Sequence, residues 1–350
     1  MVAVVLLHLL VWAFVPTGAG AGPWGLVSDH FYPVRMPLLF ALSGFIVSAR
    51  IRTGWSDRKV RRRVASSWYL YMVWLVVYAA LSLIPASDPL PQRLSGWRTV
   101  VTQLVIPDTT LWFVFALGVY VPLLAALRRV HPALVLTALA VLSIEVGRLP
   151  AEVGGLWVRI PEYAFYFAFG VHGAPLLSFF TRRALVRKLA VVLALYLVAS
   201  RAVKLPSLPF EATGAAVVAT STLAVLTLIA AASLVGERWP VLLRPAAAVG
   251  RRTLPIFLMH PPMIWVLMSI PGALTLWGLP GAAWAAPAVC TALVVAACLI
   301  AHAAMRRTPL RVLFELPARG AGRSADTSAG DRRAAGGGAP TWRPAAGSRG

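Results

Sequence analysis

Charge is what this chain has least of, and acidic charge above all. Asp and Glu number 12, and charged residues of every kind make up 13% of the 350 positions, about half the share of a soluble globular chain. With a hydrophobic share of 59% and a mean hydropathy of +0.76, that scarcity excludes a cytosolic globule and a disordered chain. Cysteine is almost absent too. Cys290 and Cys298 fall in one apolar block, about 12 Å of helical rise apart and too far to bond. A disulfide-stapled scaffold is excluded, and both read as packing residues. There is no His pair at i,i+4 and no Cys cluster, so no metal centre is expected. A Walker loop and a Gly-x-Ser-x-Gly elbow are also missing, which removes the phosphate-cradling and serine-hydrolase readings.

What is abundant is apolar sequence in blocks long enough to cross about 30 Å of hydrocarbon as helix. They fall at 1–15, 35–50, 64–84, 111–127, 131–147, 159–175, 185–203, 213–235, 253–270 and 283–304. The expected fold is therefore all-α and integral to a membrane: a bundle of about ten transmembrane helices. The 33 basic residues set its orientation. Those after even-numbered blocks number 26, or 17 without the tail, against seven on the other side, among them Arg35. By the positive-inside rule the richer side, and both termini, are cytoplasmic. The net charge of +21 sits in short loops rather than on one soluble face, so nucleic acid is not an expected partner. Residues 1–305 read as one membrane domain, and 306–350, rich in Gly, Ala, Pro and Arg, as a disordered basic cytoplasmic tail. The first block is shorter than the roughly 20 residues a span needs, which suggests that the first helix begins upstream of Met1.

A polar side chain at membrane depth is costly and marks function by default. His8 lies between leucines in the first block, and His260 sits in Leu258-Met259-His260-Pro261-Pro262. The two prolines should break the helix and free backbone carbonyls, which suits a cavity wall. Ser43-Gly44 puts a small polar step in the second block: close helix packing on one reading, a ligand approach on the other. Glu162 opens the aromatic sixth block, either solvated or a substrate-site acid. Glu145 is placed to pair with Arg148, and His172 and His302 read as interfacial. Seven basic residues lie between Arg50 and Arg63, more than orientation needs. Arg forks bind phosphates, whether of a cytoplasmic ligand or of lipid headgroups.

Taken in order, His8, Met36-Pro37-Leu38 with Ser43-Gly44-Phe45, the Arg58–Arg63 cluster, Leu111-Trp112-Phe113, the Phe-x-x-Gly aromatic span and His260-Pro261 resemble the motifs of acyltransferase family 3. These are bacterial ten-span membrane O-acyltransferases of the fucose 4-O-acetylase kind. The resemblance covers about residues 1–305. It implies transfer of an acyl group, often acetyl, from acyl-CoA as co-substrate to a hydroxyl of a carbohydrate, glycolipid or other envelope or secondary-metabolite acceptor, at the plasma membrane, with no bound cofactor. It further implies His8 as catalytic base, His260, Ser43 and Gly44 as family positions around the same cavity, and Arg58, Arg61 and Arg62 on the donor; Glu162 is expected at that cavity from its place in the sixth block alone. Two departures stand out. The Arg that such proteins carry about ten residues before the first His has no position here, and Ser66-Ser67-Trp68-Tyr69 follows the basic motif in place of a Pro-x-Tyr pattern. A transporter or flippase without covalent chemistry is the competing class; one should show paired broken helices and a buried coupling acid, for which Glu145 alone is a candidate.

Overall fold

The structure, a computed structural model, describes residues 1–16, 22–84, 92–94, 96–150, 153, 155–182, 185–204, 210–270, 272, 279 and 281–317. Among them every element is helical. The first helix, α1 (Val2–Leu9), runs into a wider π turn at Leu10–Phe14, closed by Val15 N–H donating to the Leu10 carbonyl at 2.9 Å. Then come α2 (Gly22–Thr53), α3 (Arg58–Ser82), the short α4 (Trp97–Thr102), α5 (Trp112–Ala126) and α6 (Pro132–Gly147). Next in the chain are α7 (Arg159–His172), α8 (Ala174–Phe180), α9 (Leu185–Ala202), α10 (Phe210–Arg238), α11 (Pro240–Gly250), α12 (Thr253–Met268) and α13 (Ala282–Met305).

A helix lies in each of the ten apolar intervals, and among the described residues five helices are long and apolar enough to cross a membrane, or six if α7 and α8 form one bent span. Val2–Phe14, Pro132–Gly147 and Thr253–Met268 are apolar but shorter. Large side chains face outward along these helices, with Ile46 75%, Val198 68% and Ile300 70% exposed. An apolar exterior of that kind suits hydrocarbon and not water.

Three boundaries differ from expectation. The second helix begins at Gly22, not near 35, and runs through Pro33 and Pro37. Each proline deletes one backbone donor, but packing carries the helix across the gaps, and Trp24 Nε1–H ties its early turns to the Trp284 carbonyl at 2.8 Å. The sixth interval bends by 73° between α7 and α8. The third concerns the stretch after Met305, expected to be disordered from 306. Residues 309–313 form a 3₁₀ turn, Phe314 is buried, and α3 holds the segment through Tyr69 OH to the Val312 carbonyl (2.9 Å) and Trp74 Nε1–H to the Leu313 carbonyl (2.7 Å). His302, expected at the interface, is buried with its ring 4.7 Å from that of Phe314. Residues 1–315 form one compact unit and 316–350 a second; the expected tail from 318 onward lies outside the described residues.

Helix α2 organises the first unit. Its most extensive partner is α7, and α1, α10 and α13 pack on it as well. The seam with α7 is glycine-lined: a Cβ on Gly44 would run into the Phe167 carbonyl, and one on Gly170 into the Ala41 carbonyl. On one side of α2, Phe40 joins a large core with Trp112, Phe113, Tyr120 and Phe167. On the other, Ala41 joins a smaller core with Phe169, Val192 and Val225. Helix α2 ends where Gly54, at φ +81°, turns the chain, a conformation that a Cβ would strain. Asp57 then caps α3, accepting from Lys59 N–H at 2.7 Å.

Candidate active site

The His260-Pro261-Pro262 sequence builds the site's foundation through missing donors. A helical N–H bonds the carbonyl four residues back, so Pro261 leaves the Phe257 carbonyl free and Pro262 leaves that of Leu258 free. The helix does not break as expected; it continues to Met268 because side chains take up both carbonyls. His260 Nδ1 lies 2.7 Å from the Phe257 carbonyl and 3.2 Å from that of Ile256. Tyr78 OH bonds the Leu258 carbonyl and Thr110 Oγ1, each at 3.2 Å.

Carbonyls only accept, so His260 Nδ1 carries a proton. In the neutral ring Nε2 is then the acceptor. His8 Nδ1 lies 2.7 Å from His260 Nε2, so it is the donor. This relay of tautomers leaves the lone pair of neutral His8 on Nε2. His260 is fully buried, whereas His8 is only half-buried. The His8 ring is braced by Trp12, one turn on in the π segment, with centroids 4.3 Å apart and planes 9° from parallel. The His8 and His260 rings lie edge to edge and nearly coplanar, with centroids 4.9 Å apart and planes 17° from parallel, as an in-plane N–H···N bond requires. One imidazole is thus oriented and the other poised to accept a proton.

The remaining expected residues are distributed differently. Gly44 lies in the α2–α7 seam, and Ser43, half-buried, makes no hydrogen bond among the described residues; these two do not join the histidines. Glu162 lines a separate cavity of about 700 Å³ between α2, α6, α7, α9 and α10, with Tyr32, Ser143, Tyr163, Tyr196 and Thr220 also in its wall. Glu162 is paired there with Arg159 at 2.7 Å, and Ser143 Oγ–H donates to its backbone carbonyl. Neither α1 nor α12 contributes a lining residue. The expected Glu145–Arg148 pair forms at 2.6 Å.

In the basic cluster, Arg61 is occupied: its Nη1 donates to the carbonyls of Trp55 (3.0 Å) and Ser56 (2.8 Å), stapling the turn before α3. Arg58 and Arg62 are exposed on the same helix start. Sequence reasoning overlooks Trp12, which the π turn brings under His8, and Arg35, which reads as a basic residue of the other face. The helix start far upstream of Arg35 is what places it inside the bundle.

A family model described as an acyltransferase domain matches residues 1–302. No curated protein and no solved structure matches the chain.

Proposed function

The chain belongs to acyltransferase family 3, a family of membrane enzymes, and from that membership we propose an O-acyltransferase that moves an acyl group, acetyl in the simplest case, from acyl-CoA to a hydroxyl of a carbohydrate or similar envelope or secondary-metabolite acceptor. The observation that carries this reading is the His8–His260 pair, with Nε2 of His8 as its free lone pair. Direct transfer needs a base that takes the hydroxyl proton as the oxygen attacks the thioester carbon and returns it to the departing thiolate. A neutral imidazole does both near pH 7.

The proposed setting is the plasma membrane, crossed ten times with both termini in the cytoplasm, where acyl-CoA is made available. Arg58 and Arg62 would hold the donor's phosphates as charge-assisted forks, with Arg61 shaping the turn that presents them. The cavity of about 700 Å³ falls in the range of roughly 300–1,000 Å³ that houses small-molecule ligands. Its tyrosines and hydroxyls suit a polyhydroxylated ring, stacked on one face and hydrogen-bonded at the edge.

The test is purified His8→Ala protein given acetyl-CoA and a hydroxyl acceptor. A fall in transfer of about 10²–10⁴-fold, the usual worth of a positioned base, with unchanged membrane insertion, is the expected result. Wild-type rates in the folded variant would sink the reading.

A further inference from the structure

Arg35 occupies a costly position. It lies in the interior of α2, between Pro33 and Pro37. Its Nη1 is fully buried and has no hydrogen-bond partner among the described residues. A guanidinium keeps its charge and presents five N–H donors, so a buried orphan on it is an unused donor of the strongest kind. What surrounds it is uneven. His8 is within its electrostatic reach on the α1 side, and Asp29, Tyr32 and Tyr163, which line the large cavity, are within reach on the other. Its guanidinium carbon stands 5.9 Å from the centre of the Tyr32 ring, and no ion pair to Asp29 forms among the described residues. The side chain is thus charged, has a donor to spare, and lies beside Tyr32 of the cavity wall on the helix against which α1 packs.

Resting on the acyl-transfer reading above, we propose that Arg35 binds the carbonyl oxygen of the acyl group and holds the negative charge that develops on it while His8 handles the proton. The acceptor hydroxyl oxygen forms a bond to the thioester carbonyl carbon, and its proton passes to His8 Nε2. The carbonyl π pair moves onto oxygen, where the Arg35 N–H groups meet it. The oxyanion then collapses, the C–S bond breaks, and the leaving thiolate takes the proton from His8, giving ester and free thiol. Donors already fixed where charge will appear lower the barrier more than donors that must first be recruited from water. An arginine tied up in a salt bridge would not be free for this role.

The experiment uses the full-length protein in lipid vesicles, with acetyl-CoA as donor and methyl β-D-glucopyranoside as the hydroxyl probe, and reads thiol release and ester formation. Arg35→Gln should lower kcat by about 10²–10³-fold, the usual cost of losing one oxyanion donor, with KM for acetyl-CoA within about two-fold. Arg35→Lys keeps the charge without the fork and should recover at least about ten-fold of that loss. Guanidinium ion added to Arg35→Ala should restore part of the rate. An Arg35→Gln enzyme with wild-type kcat overturns the assignment. So does equal loss in the Gln and Lys variants with matching drops in thermal stability and no guanidinium rescue, because that pattern marks a packing residue. Thiol release absent from the wild type, or indifferent to His8→Ala, overturns the transfer reading itself, and the Arg35 assignment with it.

Discussion

An imidazole is informative in an apolar run because it cannot be left unsatisfied there. That is why His8 and His260 stand out from sequence alone, and they do meet, at 2.7 Å. The second residue also carries its own local instruction. In His260-Pro261, the carbonyl that the proline orphans is the one an imidazole three residues later can reach. Truncation to His260→Ala should therefore act twice. It leaves the Phe257 carbonyl and the His8 Nδ1–H unpaired, each at about 1–3 kcal/mol, and it frees the base to adopt the wrong tautomer. Transfer should fall by roughly 10–100-fold, the cost of losing a partner that orients a functional imidazole. His260→Gln, whose amide carries both a donor and an acceptor, should retain more activity and a higher Tm than His260→Ala. Equal rates and melting points for the two variants would refute the relay. Arg35 is harder to see, because it opens the second apolar block and counts among the basic residues of the other face; packing along α2 starts the helix far upstream of it.

At the scale of elements, the apolar blocks locate the helices well, since a backbone in hydrocarbon has few ways to satisfy itself other than as helix. Where helices bend or overrun is decided by contacts that no window of sequence reports, such as the 73° turn after His172 and the upstream turns of α2 tied to Trp284. The glycine pair of the α2–α7 seam belongs between these cases. Ser43-Gly44 announces close packing, while the reciprocal role of Gly170 needs three dimensions. Gly44→Ala and Gly170→Ala should each destabilise the protein by about 1–3 kcal/mol or more, since the obstacle is backbone carbonyl and not a movable side chain. Because the two share one seam, the double variant should cost less than the sum. Thermal melts of the three proteins in the same detergent measure this; strict additivity would mean that the two contacts do not belong to one interface.

On the scale of the whole molecule, composition misplaces the end of the folded unit. Residues 306–317 open with Arg and Pro and so read as part of the basic stretch that follows, but Leu313 and Phe314 supply enough apolar surface to dock on Trp74. A protein ending at Met305 should melt several degrees below one ending at Pro317, having lost the buried Phe314 ring, worth about 1.5–3 kcal/mol by area, and two hydrogen bonds to α3. Identical melting curves would show that the docked segment adds nothing. The order in which helices pack around α2 leaves no mark in the sequence at all, because each lipid-exposed helix is apolar whichever neighbour it meets.

The His8–His260 contact also sets a schedule. Its two members are 252 residues apart in the chain. At roughly 5–20 residues per second of synthesis, the first imidazole waits about 13–50 s in the membrane before its partner is made. During that interval Trp12 alone can steady it. On the proposed mechanism transfer begins only after His260 is made, so a nascent chain stalled before α12 should be inert, and two separately expressed pieces divided between α9 and α10 should regain function only when both are present.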